Sequence, residues 1–294
     1  MKTVKKYNYQ NFMIFFTFFL LWVSIQFGEL VEDILAYILV ISIGIIHGAN
    51  DLLILSSKNK QRKAFLKNAG IYLGIIMACI CIYLISPFLA IVLFILLSAY
   101  HFGEEHLGDT IILNTFFNTL YFLAYGLFIF SLLFYQSIEA VDEIMIELTT
   151  TSFTKFQIEV TLIASAIVLI VGSLYLIVLK KNNFEIFLTE LFYLGLLFLV
   201  FNTSSLILGF AIYFIFWHSI PSIIHQIEFI AGNLNKKTVF FYVKKAMINW
   251  VISVLGLFTL YQFIPEIDLF ATVVFVLLFA VTAPHAWVMY RMKN

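Results

Sequence analysis

Charge is scarce in this chain. Lys, Arg, Asp and Glu make up 12% of its 294 residues, and 17 basic residues balance 17 acidic ones to a formal net charge of +0. Spread over short loops, so few basic residues leave no face large enough for nucleic acid. Cysteine is scarcer still, with only Cys79 and Cys81. A Cys-x-Cys pair on a helix points its thiols about 200° apart, which disfavours a disulfide or shared metal ligation. Both are expected to be packing residues. Also lacking are an internal repeat, a low-complexity tract and any stretch polar enough for a soluble domain.

What is present in excess is apolar. The chain is 63% hydrophobic and 18% aromatic, with a mean hydropathy of +1.02. Apolar stretches of about 20 residues recur, the length that crosses roughly 30 Å of hydrocarbon. The expected fold class is all-α: a polytopic membrane bundle of about ten helices, with residues 1–294 as a single integral-membrane domain in a plasma or cell inner membrane.

The spans fall near residues 11–28, 33–55, 69–86, 88–106, 110–135, 157–179, 184–202, 205–230, 247–264 and 268–290. Lys2, Lys5 and Lys6 precede the first, as in a signal peptide, but Gly28, Glu29 and Leu30 follow Phe27 where a small-residue cleavage site belongs. It is therefore expected to stay as a span. The loops alternate in charge. Lys58, Lys60, Arg62, Lys63 and Lys67, then Lys180 and Lys181, then Lys236, Lys237, Lys244 and Lys245, and finally Arg291 and Lys293 lie on one side. Glu29, Glu32 and Asp33, then Glu139, Asp142, Glu143 and Glu147, then Glu266 and Asp268 lie on the other, where Lys155 is outweighed. The positive-inside rule then puts both termini in the cytoplasm. Within residues 137–156 a short surface helix is expected through Ile144, Met145, Ile146 and Leu148.

All six histidines lie in or beside apolar segments, where an ionisable side chain is costly unless it pairs or binds something. His47 lies in the second span, His101 in the fourth, His218 and His225 in the eighth and His285 in the tenth. These spans all run inward. His47 precedes Lys58 by eleven residues, His225 precedes Lys236 by eleven and His285 precedes Arg291 by six. At about 1.5 Å per residue, that predicts one layer on the cytoplasmic side of the bilayer centre. A single buried histidine on an apolar helix is more often a packing residue than a ligand. Co-located histidines reverse that expectation for the set and suggest a cage for iron, copper, zinc or nickel.

Neighbouring residues refine the picture. His47 and Asp51 share a helical face, so Asp51 is expected to hold the imidazole of its own or a facing helix. Glu104 and Glu105 stand three and four residues after His101 and are candidates for the same task. His106, nearer the aqueous end, reads as a surface or gating residue. Gly44, Gly48 and Gly103 either permit close helix approach or leave room for a ligand. His218 and His225 are nearly on one face, but a regular helix separates them by about 10.5 Å along its axis. Pro221 between them makes a bend or bulge possible; without one, His225 supports the site from outside or His285 takes its place.

In chain order the motifs are His-Gly-x-x-Asp at His47 to Asp51, His-Phe-Gly at His101 to Gly103, His-Ser at His218 and Ser219, and Pro-His at Pro284 and His285. They resemble the membrane-embedded Brp/Blh family of β-carotene 15,15′-dioxygenases, found beside retinal-using rhodopsins in microorganisms. The resemblance implies a catalytic domain with a non-haem iron, Fe2+, held by His47, His101 and His218. It further implies cleavage of the central double bond of β-carotene with O2 into two molecules of retinal, a substrate reached from the membrane lipid, and a functional link to a rhodopsin. The family pattern has a second histidine four residues after that of the His-Ser motif, where this chain has Ser222. His225 is the nearest replacement as fourth ligand, with His285 the alternative.

The residues agree in kind with this resemblance. An all-imidazole site leaves positions open for O2, and 34 phenylalanines and 15 tyrosines supply flat apolar wall, although such residues are ordinary in any membrane bundle. The alternative function is a histidine-lined metal or proton-coupled transporter, which predicts polar residues across both membrane halves. The outer half here is nearly featureless. A haem protein would use two of the histidines, and a di-iron hydroxylase needs His-x-x-x-His pairs that the chain lacks.

Overall fold

A long apolar segment in lipid has no solvent for its backbone N–H and C=O groups, so it satisfies them internally by forming a helix. The computed structural model describes residues 2–58, 61–108, 114–179, 184–263 and 267–293, and no strand occurs among them. In chain order the helices are α1 (Lys2–Gln26), α2 (Glu29–Leu39), α3 (Ile45–Gly48), α4 (Asp51–Lys58), α5 (Arg62–Ile85), α6 (Pro87–Leu107) and α7 (Thr115–Gln136). They continue as α8 (Ile138–Thr149), α9 (Lys155–Val178), α10 (Phe184–Thr203), α11 (Leu206–Ile212), α12 (Ile220–Ala231), α13 (Lys236–Phe263) and α14 (Ile267–Lys293). Two short π-helical segments, Val40–Gly44 and Tyr213–Ser219, join α2 to α3 and α11 to α12.

Among the described residues, nine helical stretches are long and apolar enough to cross a membrane, which makes this a membrane protein. They correspond to the first nine expected spans. The second runs Glu29–Ser57 and the eighth Leu206–Ala231, each through a π segment. Helix α14 lies where the tenth was expected, and its side chains are described from Leu278 onward. Lys60, Lys180, Lys181 and Glu266 of the charge pattern lie outside the described residues.

Helix ends are set by local chemistry. Ser86 accepts from Leu89 N at 3.3 Å with Pro87 in the first turn, Asn114 accepts from Phe117 N at 2.8 Å, and Thr154 and Gln157 form a reciprocal capping box. Gly232, at φ 75°, closes α12 in the left-handed region where a side chain is disfavoured. Helix α8 is the short helix expected within residues 137–156, and it runs through Ile144, Met145, Ile146 and Leu148. Val141, Met145 and Leu148 are buried, whereas Ile144 and Ile146 are exposed. The i, i+4, i+7 spacing selects one stripe, and adjacent residues cannot share it.

The core forms where backbones touch. A Cβ on Gly103 of α6 would fall 1.9 Å from the carbonyl oxygen of Phe122, and one on Gly126 of α7 would fall 2.0 Å from that of Ala99. These glycines face reciprocal helices and let α6 and α7 close to backbone contact. On α5, Cys79 is buried and Cys81 is exposed, both as free thiols.

Candidate metal centre

The two π segments lie against each other, with Phe214 under Gly44, where a Cβ would meet the ring at 3.0 Å. Each π turn takes one more residue than an α turn and so rotates the residues downstream of it by about 100° relative to a regular helix. One ends three residues before His47, and the other contains His218. On α6 the Gly103–Phe122 contact sets the depth of His101, and on α14 His285 follows Pro284.

These four imidazoles meet. Ring centroids lie 4.3 Å apart for His47 and His285, 5.0 Å for His47 and His218, 4.7 Å for His101 and His218, and 5.4 Å for His101 and His285. The result is a closed ring of side chains, each no more than 4% exposed. Ligand-capable nitrogens of His47, His101 and His285 lie within 4.8 Å of one another.

Asp51 Oδ1 sits 2.8 Å from Nδ1 of His285, and Tyr72 donates its hydroxyl to Oδ2 at 3.2 Å. The carboxylate only accepts, so His285 carries its proton on Nδ1 and presents a lone pair at Nε2. That lone pair faces Nε2 of His47 at 2.8 Å. Two nitrogens bound at about 2.1 Å to one ion and at right angles to each other stand about 3.0 Å apart, so the pair suits a shared cation. Both ring nitrogens of His101 and the Nδ1 atoms of His47 and His218 are buried without a hydrogen-bond partner. Each such atom costs about 1–3 kcal/mol. A metal ion would relieve the lone pairs aimed at it, and a set of neutral imidazoles suits a transition metal.

A protein-family model described as Beta-carotene 15,15'-dioxygenase matches residues 38–293, a range that begins just before the first π segment and contains the whole histidine ring. The chain belongs to the β-carotene 15,15′-dioxygenase family. Its activity is the oxygen-dependent cleavage of β-carotene, and the transporter reading is not favoured. No curated protein and no solved structure matches the chain.

Within this dioxygenase fold, His225 stands apart from the ring. Its Nδ1 lies 2.7 Å from Glu105 Oε1, and Lys293 Nζ lies 3.2 Å from Glu105 Oε2. The bulge sought between His218 and His225 ends at Ser219, and α12 is regular beyond it, so most of their axial separation persists. His285 occupies the remaining position in the ring. Ser222, at the family's second histidine position, is fully buried and accepts from Gln226 Nε2 at 3.3 Å.

The carboxylates also separate. Asp51 serves the facing helix. Glu104 accepts from the Tyr100 hydroxyl at 3.1 Å and Glu105 is engaged by His225 and Lys293, so neither holds the imidazole of His101. His106 is not a surface residue: it stacks on Tyr125 at 4.8 Å and meets Glu190 Oε2 at 2.8 Å, with 12% of its side chain exposed. Gly48 borders Nδ1 of His285, and Gly44 makes room for Phe214.

A polar network behind His47 has little signature in the sequence. Gln226 donates to the His47 carbonyl at 3.2 Å, Tyr242 donates to Gln226 Oε1 at 2.6 Å, and Asn50 donates to the Tyr242 carbonyl at 3.1 Å. Asn50 fills an unspecified position of the His-Gly-x-x-Asp motif and Tyr242 lies on otherwise ordinary α13, so neither is marked by the sequence. Two files of aromatic rings run up to His218. Phe210, Phe214 and His218 stack at 5.4 and 5.9 Å, and Phe130, Phe102 and His218 follow at 5.5 and 4.4 Å.

Proposed function

We propose that His47, His101, His218 and His285 hold one non-haem ferrous ion, with which the chain cuts the 15,15′ double bond of β-carotene into two molecules of retinal. The observation that carries this reading is the buried ring of four imidazoles in which both nitrogens of His101 and the Nδ1 atoms of His47 and His218 have no hydrogen-bond partner. Both atoms of one O2 are consumed, one on each carbon of the broken bond. The electrons that reduce O2 come from the double bond itself; a bound iron would supply the redox centre at which O2 is activated and would return to its starting state, and the rest belongs to the protein.

Asp51 holds the proton on Nδ1 of His285 and so keeps its Nε2 free, while Tyr72 fixes Asp51. Gln226, held by Tyr242, anchors the backbone at His47. Phe102 and Phe214 flank His218 with flat apolar faces that suit a conjugated polyene and exclude water. A substrate dissolved in the bilayer reaches such a site sideways, between helices. The cluster of His225, Glu105 and Lys293 supports the end of α6 from outside the ring.

We take residues 1–294 as one catalytic unit in a plasma or cell inner membrane. The basic loops support cytoplasmic termini. The retinal released would supply a rhodopsin. Expression in carotene-accumulating bacteria tests the reaction: loss of orange colour with retinal in the extract supports it. A shorter apocarotenal would move the cut away from the centre, and purified protein with haem or without iron would overturn the cofactor.

A further inference from the structure

Both π segments are held from outside by helices that carry no histidine. On α1, Tyr9 donates its hydroxyl to the Phe216 carbonyl within the second π segment. One helical face further on, Thr17 accepts from Nε1 of Trp217 at 3.1 Å while its own hydroxyl donates to the Met13 carbonyl at 2.8 Å. On α13, Trp250 donates from Nε1 to the Ile41 carbonyl within the first π segment at 2.7 Å, and Asn249 donates to the Ala49 carbonyl at 2.6 Å. The carbonyls of a regular helix are already taken by its own N–H groups, so a distant side chain that bonds to a carbonyl usually finds one at a helix end. Ser24 does so at Thr203 and Tyr83 at Leu148. A π turn opens the same opportunity inside a span, and in lipid its exposed carbonyls are satisfied by neighbouring helices.

We propose that Tyr9 and Trp250 are positioning residues of the metal centre, which by bonding to the carbonyls of the two π segments hold these turns open and fix the rotation at which His47 and His218 face the ring. This rests on the reading of the ring as a metal site and identifies what keeps that site in shape. A π turn that relaxed to regular helix would turn one side of the span against the other by about 100° and carry an imidazole away from its neighbours. One donor stands on each π segment, and the two segments pack on each other through Gly44 and Phe214, so a slip in either is felt by both histidines. Neither Tyr9 nor Trp250 touches the ring, and both act through the backbone.

The test uses the full chain purified in detergent and freed of metal, titrated with Co2+, whose visible bands report the number and arrangement of the nitrogens around it. Tyr9→Phe and Trp250→Phe each remove the donor and keep an aromatic ring. Wild type is expected to bind a single Co2+ saturably, and each variant to bind it about tenfold more weakly with shifted bands. Tyr121→Phe is the control: it removes a hydroxyl bonded to Ser173 Oγ at 2.7 Å, away from both π segments. It should lower the thermal unfolding midpoint as much as the other two, yet leave the bands unchanged and Co2+ affinity within about twofold. Should either variant fail to fold, Thr17→Val or Asn249→Leu, which removes the second contact of the same helix, takes its place. The proposal is overturned if the variants bind Co2+ as tightly as wild type with the same bands, or if Tyr121→Phe moves the bands equally. A wild type that binds neither Co2+ nor iron would overturn the metal reading and this proposal with it, whereas unaltered variants of a metal-binding wild type would overturn this proposal alone.

Discussion

The eighth span and the ninth are both apolar, yet they occupy opposite environments. In the apolar stretch of Leu206–Ala231, 61% of residues are buried; in that of Lys236–Thr259, 11% are. The buried span carries His218, Ser219, Ser222 and Gln226, each at most 1% exposed, whereas the outer one shows Phe240, Ile248 and Ile252 to its surroundings. In water the ranking would run the other way. Lipid is as apolar as leucine, so apolarity gives no reason to go inside, and the interior is chosen by groups that must pair, bind or pack closely.

The strongest way to break this contrast is at the ring. His47→Ala, His101→Ala, His218→Ala and His285→Ala are each expected to abolish pigment bleaching and to empty the protein of iron, measured by elemental analysis of the purified variants. A single variant that bleaches normally with full iron would remove that residue from the ligand set. Next in size is Asp51→Asn, which keeps the shape but loses the charge that orients His285. Iron affinity or turnover should drop about 10–100-fold, and a change below twofold would show that the carboxylate is incidental.

The glycines sharpen the contrast as a matter of stability. Gly103→Ala drives a methyl into the Phe122 carbonyl and should destabilise the bundle by about 1–3 kcal/mol in denaturant titration, or prevent assembly. Gly74→Ala on α5, with nothing within 4 Å of the added carbon, should stay within about 0.5 kcal/mol. Equal effects would contradict the close approach of α6 and α7. The smallest effect on chemistry is expected from His225→Ala, which removes a partner of Glu105 but should retain iron and bleaching; loss of iron there would return His225 to the ligand set.

Much of this arrangement is legible before folding. The nine described spans follow from apolar length, and their limits match the expected ones within a few residues for most helices. The largest departures are α13, which begins at Lys236, and α5, which begins at Arg62, each well before its apolar run, because basic side chains with long stems continue a helix past the hydrocarbon. The histidines of the centre stand out because they are rare ionisable groups in greasy segments. Tyr72 and Tyr242 do not, since tyrosine is common in membrane helices and nothing local marks the two whose hydroxyls meet Asp51 and Gln226.

Composition and order alone determined that the chain is helical, that it belongs in a membrane, and that its histidines fall in alternate apolar segments, because each follows from local hydropathy and position along the chain. Only the tertiary structure decided that His285 rather than His225 joins the ring, and that Asp51 serves a facing helix. Those outcomes depend on the angular phase with which each helix arrives, and that phase is shifted by two π turns and by backbone contact at Gly103. Spacing along one helix carries no record of how its neighbours are turned.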